Sequence, residues 1–141
     1  MAELKLLAMD EKDMKVISAA TQDAVMRVAD IGFAKSERRF ACLMNRYVWE
    51  DKTPGANGKR RRAALHFNHV ETVSSNGINL DARDGILNLL AIEFTPKDAP
   101  AGEVKLIYAG GATVFLNVEC LEAQLSDLGA SWAATATPEH E

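Results

Sequence analysis

The densest charge in the sequence is Gly58-Lys-Arg-Arg-Arg62, four consecutive cations beside a stretch rich in glycine and proline. Such a run can neutralise phosphate groups on a nucleic acid, a lipid head group or an acidic protein. The competing reading is the start of a β-strand, with Lys59, Arg60, Arg61 and Arg62 alternating across a sheet and some of them paired with local acids such as Glu50 and Asp51. Single-strand binding favours interleaved aromatic residues, and none accompany this run. The strand reading is therefore preferred, and nucleic acid is a possible but not a favoured partner.

His66 and His69, in Leu65-His-Phe-Asn-His-Val70, are the next candidates. Three positions apart on a helix, two imidazoles could share a metal ion. The surrounding alternation reads as strand, where residues three apart face opposite sides, so no metal site is assigned. Either histidine, with an acid such as Glu71, could act as a general base. No nucleophile accompanies them, and a structural role is preferred. Gly110-Gly111 lacks the GxGxxG pattern and reads as a turn, and Gly55-Ala-Asn-Gly-Lys59 misses the phosphate-loop spacing and its Ser or Thr. In Val118-Glu-Cys-Leu-Glu122 a thiol stands near an expected helix N-terminus, but Glu119 and Glu122 oppose a thiolate there. No catalytic residue and no cofactor is assigned. Tyr47, Trp49 and Trp132 would mark an interface wherever they are left exposed, although core packing is the commoner fate of such side chains.

The elements that hold these residues follow from periodicity. Leu4 to Met9 reads as a short strand, and Asp10 as the cap of a helix over about 10 to 22 with Met14, Ile17, Ala20 and Ala24 at helical spacing. Val25 to Phe33 and Arg39 to Trp49 read as a β-hairpin across the polar turn Lys35 to Arg38. In the second arm Phe40, Cys42, Met44 and Val48 alternate with Leu43, Asn45, Tyr47 and Trp49, so neither face is strongly polar. One face of that strand must then be covered, and a second subunit is a reasonable candidate. Glu50 to Gly58 is a loop, Arg61 to Val73 one strand closed by Asn76-Gly77, Asn79 to Gly85 a polar stretch with room for a helical turn, and Ile86 to Thr95 an apolar strand. Val104 to Ala109 and Ala112 to Val118 form a hairpin about a two-residue Gly110-Gly111 turn. Asn117 caps a C-terminal helix with the stripe Leu121, Leu125 and Leu128, stopped by Gly129, and residues 133 to 141 form a tail.

The expected fold class is α+β. It has an N-terminal helix, a bent antiparallel sheet or partly closed barrel of five to seven strands, and a C-terminal capping helix, an element order that resembles the pleckstrin-homology-like barrel. The 141 residues fit one domain, and 48% hydrophobic with 26% charged residues is an ordinary globular composition. No apolar run approaches the roughly 20 residues of a membrane-spanning helix, so no membrane partner is expected. The N-terminus lacks the long apolar stretch of a secretory signal, which makes the cytoplasm the expected compartment. Net charge is −4, and Glu103 to Glu141 carries six acids against Lys105 alone. Cys42 and Cys120 lie far apart within apolar patterns, as reduced thiols do.

Five blocks together carry a family resemblance: Ile17-Ser-Ala-Ala-Thr-Gln-Asp-Ala24, Glu37-Arg-Arg-Phe-Ala41, Asn45-Arg-Tyr-Val-Trp-Glu50, Arg61-Arg-Ala-Ala-Leu-His-Phe67 and Val118-Glu-Cys-Leu-Glu-Ala-Gln-Leu-Ser-Asp-Leu-Gly129. They resemble an uncharacterised family of small alphaproteobacterial proteins, a domain of unknown function, over nearly the whole chain. The resemblance implies a bacterial, cytosolic setting and carries over no activity. Function is thus unknown from sequence. The leading expectation is a non-enzymatic binding or protein-interaction module, working as a homo-oligomer or with a protein partner. An anion or nucleic-acid binder through residues 59 to 62, and a small enzyme with a histidine base, are the alternatives.

Overall fold

The computed structural model describes residues 3–50 and 58–133, with the backbone alone for 130–133. The loop expected over 50 to 58 and the tail over 133 to 141 fall almost wholly outside the described residues, as does the side chain of Trp132.

Asp10 caps the helix as its sequence requires: its Oδ1 accepts the Asp13 N–H at 2.8 Å, and α1 (Glu11–Ala20) buries Met14 and Ile17. Apart from three short 3₁₀ turns, the other elements among the described residues are strands: β1 (Lys5–Ala8), β2 (Val25–Arg27), β3 (Ile31–Ala34), β4 (Arg39–Tyr47), β5 (Lys59–Phe67), β6 (Val70–Asn76), β7 (Ile86–Pro96), β8 (Gly102–Tyr108), β9 (Thr113–Val118) and β10 (Ala123–Ala133). All pairings are antiparallel, in the order β1-β10-β5-β4-β2-β7-β8-β9-β6, with β3 beside β4. The α+β class and the mostly antiparallel sheet stand; among the described residues the strand count is ten rather than five to seven, and the sheet they form is not closed.

The C-terminal helix is the main correction. Residues 117 to 128 complete β9 and open β10, where Leu121, Ala123, Leu125 and Asp127 are buried and Glu122, Gln124, Ser126 and Leu128 are not. The four-residue spacing of Leu121 and Leu125 fits a helical stripe and a strand's period of two alike, whereas Leu128 falls on the exposed face of the strand. Gly129, at φ 71°, stands where the β10–β5 register shifts, a bulge rather than a helix stop. The capping helix that motivated the pleckstrin-homology-like comparison is therefore absent.

Two further strands differ in extent. Residues 61 to 73 are interrupted at His69, whose φ of 58° turns the chain from β5 into β6 beside β9. The first hairpin arm is broken by a tight turn at Val28–Asp30 into β2 and β3. The β8–β9 hairpin is present, but its turn spans Ala109–Gly111, with Gly110 and Gly111 at φ 81° and 84° and the Tyr108 N–H bonded to the Ala112 carbonyl at 2.9 Å.

The sheet curls around one core built from α1, Phe40, Met44, Leu65, Phe67, Leu89, Leu106 and Leu116. Curling leaves two seams. Beyond Leu89, no strand among the described residues flanks β7 on its β2 side; there α1 packs between β7 and β1, and Ser18 Oγ accepts the Ile92 N–H at 2.9 Å. The second seam lies between β3, which pairs only with β4, and β6, which pairs only with β9, among the described residues. The Val70 N–H bonds the Arg38 carbonyl at one end of it, at 2.9 Å. No helix among the described residues is long and apolar enough to cross a membrane.

Candidate functional site

The basic run opens β5, and strand alternation divides it. Arg60 turns to the protein itself: its Nη1 donates to the carbonyls of Asp23 and Asn45 at 3.1 and 3.0 Å, and the guanidinium sits 5.8 Å from the Tyr47 ring centroid. Burial lowers its pKa, against the field of Asp23. Arg62 reaches Asn45 Oδ1 at 3.3 Å and lies 3.7 Å from Asp30. Arg61 is buried, 4.0 Å from Asp127. Lys59 is half-buried. The run is thus spread over both faces of the sheet rather than gathered as one exposed patch.

Inward from this strand lies a charge cluster that sequence reasoning missed. Arg46 on β4 is fully buried and uses all five N–H donors. Nε and Nη2 bond the Asp127 carboxylate at 2.7 and 2.8 Å, Nη1 and Nη2 bond Glu50 at 3.0 and 2.6 Å, and Nη1 also reaches the Tyr47 carbonyl at 3.4 Å. Asp127 Oδ2 accepts the Leu4 N–H at 2.7 Å, which ties the N-terminal strand into the cluster. Burial pushes the Asp127 carboxyl up, but the Arg46 and Leu4 hydrogen bonds outweigh it and leave its pKa below the ordinary value; Glu50 is lowered by the same balance. A signal was available: Arg46 continues the inward row Phe40, Cys42, Met44, and Asp127 the inward row Leu121, Ala123, Leu125. Opposite charges on two apolar rows call for each other.

Tyr47 is buried and Trp49 half-buried, with ring centroids 4.6 Å apart, and the Trp49 indole N–H donates to the Gln22 carbonyl at 2.8 Å. His66 faces outward from β5, and its pKa is lowered by burial and by Arg39, partly offset by Glu122. His69 stands in the exposed β5–β6 turn, 3.7 Å from Glu122, whose carboxylate also accepts from Asn68 Nδ2 at 2.6 Å. The two rings are not brought onto a common nucleophile, and neither lines a cavity described below. No group of three or more His, Cys, Asp or Glu among the described residues is placed to hold a metal. Cys120 lies in the bend before β10, so the helix N-terminus that would have activated it does not exist. Burial pushes the Cys42 thiol up to about 12.

What remains is surface shape. The outer face of β3-β4-β5-β10-β1 reads off the register as Gly32, Ala41, His66, Gln124, Leu7 in one row and Leu43, Ala64, Ser126, Lys5 in the next. Arg62 and Leu128 begin a third. Leu7, Leu43 and Leu128 are 57%, 38% and 41% exposed. Small residues hollow the face beside β3 into an open trough of about 570 Å³, floored by Gly32, Ala41, Leu43 and Ala64 and rimmed by Asp30, Glu37 and Arg39. A second, narrower cavity of about 160 Å³ lies in the β3–β6 seam.

A family model described as a protein of unknown function (DUF2948) matches residues 4–140. The chain belongs to this family. Membership of DUF2948 agrees with the resemblance carried by the five sequence blocks and assigns no activity. Neither the curated proteins nor the solved structures supply a match.

Proposed function

We propose that this DUF2948 chain is a non-enzymatic interaction module of the bacterial cytosol that docks a second copy of itself on the outer face of β3-β4-β5-β10-β1. The observation that carries the reading is the trough beside β3: a sheet face left uncovered by the described residues, with an apolar floor and a rim carrying both signs of charge. Exposed apolar patches of this kind mark association surfaces. The charged rim suits an isologous contact, in which Arg39 of each copy approaches Glu37 of the other. The free thiols of Cys42 and Cys120 fit a reducing compartment.

The anion-binding reading is weaker, because Arg60 and Arg62 are engaged within the protein and Arg61 is buried. Light scattering on the wild type and on Leu43→Asp tests the proposal. A dimeric mass that falls to the monomer in the variant supports it. A wild type that stays monomeric at its highest soluble concentration overturns it.

A further inference from the structure

The two seams of the sheet are treated differently. Helix α1 fills the one between β7 and β1, and Ser18 satisfies a strand N–H there. Among the described residues no element fills the one between β3 and β6. Instead it holds the 160 Å³ cavity, walled by Ile31 of β3, Val73 of β6, Ile78 of the β6–β7 loop and, deeper, Phe40 and Val114. A partly open, mostly apolar cavity of that size has room for a guest of about six carbons.

One charge lines it. Arg83 stands at the mouth, and its guanidinium makes no ion pair among the described residues. Asp81 and Asp84 share its loop but do not line the cavity, and Asp84 lies in the field of Arg27. Ser74 and Ser75 add small polar groups on the β6 side of the opening. An apolar interior below a lone cation suits a guest with an apolar end and an anionic head.

We infer that the β3–β6 seam is a binding site for a small monocarboxylate whose apolar end of about six carbons enters between Phe40 and Val114 while its carboxylate meets Arg83. The site is separate from the outer-face trough, and each stands or falls alone. The carboxylate contributes selectivity and the cavity most of the affinity, because an exposed ion pair is weak.

The test is amide chemical-shift titration of the full chain with sodium hexanoate, 1-hexanol and hexylamine, on the wild type, Arg83→Gln and Val114→Phe. Saturable shifts at Val73, Ile78 and Val114 are expected with hexanoate. Arg83→Gln should weaken hexanoate roughly two- to five-fold and leave hexanol unchanged. Hexylamine should bind less well than either. Val114→Phe, which fills the void, should abolish all three; if it fails to fold, the Arg83→Gln comparison decides alone. Absence of shifts at the seam with both hexanoate and hexanol overturns the site. Shifts centred on Lys59 to Arg62 do the same, and equal affinity for all three probes overturns the anionic class.

Discussion

Arg46 on β4 and Asp127 on β10, 81 positions apart in sequence, face each other across β5 through two hydrogen bonds of 2.7 and 2.8 Å, with both side chains fully removed from solvent. A buried pair of this kind is expensive to break because the surviving charge has no water to turn to. Arg46→Ala or Asp127→Ala should cost about 3–5 kcal/mol of unfolding free energy in a urea titration. The double change Arg46→Met with Asp127→Leu should recover much of that loss. A single truncation costing less than about 1 kcal/mol would show that the cluster contributes little.

The same cluster sets an acid limit. The folded pKa of Asp127 and of Glu50 lies below the ordinary 3.8 and 4.5. Each therefore contributes stability that is complete above the unfolded value and is lost as pH falls through the folded one. The share of the urea midpoint due to these two carboxylates should be constant above this range and fall as pH is lowered below about 4. In Asp127→Asn the starting stability should be lower and the acid slope shallower.

His66 should titrate below its ordinary 6.5 in an NMR pH series, since burial and the Arg39 charge both disfavour the imidazolium. With the folded pKa lowered, its contribution to stability is complete above 6.5 and declines as pH falls below it. Arg39→Gln should move the midpoint upward. An unchanged midpoint in that variant would remove Arg39 as a cause.

Gly102 and Gly32 should respond oppositely to a methyl group. A Cβ on Gly102 would lie 2.5 Å from the Phe94 ring and 2.6 Å from the Thr95 carbonyl oxygen, whereas one on Gly32 meets nothing within 4 Å. Gly102→Ala should lower stability by about 1–3 kcal/mol, as overpacking does. Gly32→Ala should be neutral or slightly stabilising by thermal melting.

Substitutions on the outer face should separate association from folding. Leu43→Asp and Ala64→Arg lie on the solvent side of β4 and β5, so each should change stability by less than about 0.5 kcal/mol. Both should lower the mass seen in light scattering. If the variants melt early as well, the face is part of the folded core.

The helix, most strands and the β8–β9 hairpin were legible because their signals are local. Asp10 caps through a residue three positions away, and the glycines at 110 and 111 permit the positive φ their turn needs. The C-terminal element was misread because the four-residue spacing of Leu121 and Leu125 satisfies both periods at once, and only pairing with β5 decides between them. The break at His69 depends on a left-handed residue that no glycine announces. For the candidate sites, Lys59 to Arg62 were visible as charge, yet their dispersal over both sides of a sheet follows from strand register. The outer trough and the seam cavity were illegible: both are made by strands distant in sequence, and what defines them is small side chains or an unfilled gap.

The position of β10 governs how the chain is made. It lies between β1 and β5, pairing Lys5 with Ser126 on one side and Leu65 with Leu125 on the other. During synthesis the first strand therefore waits, unpaired along both edges, until the chain has grown past residue 126. The β8–β9 hairpin, by contrast, can close within moments of emerging. Contacts of such long sequence separation slow folding and lengthen the exposure of sticky strand edges. Nascent chains released before β10 is complete should be the ones that aggregate or are degraded.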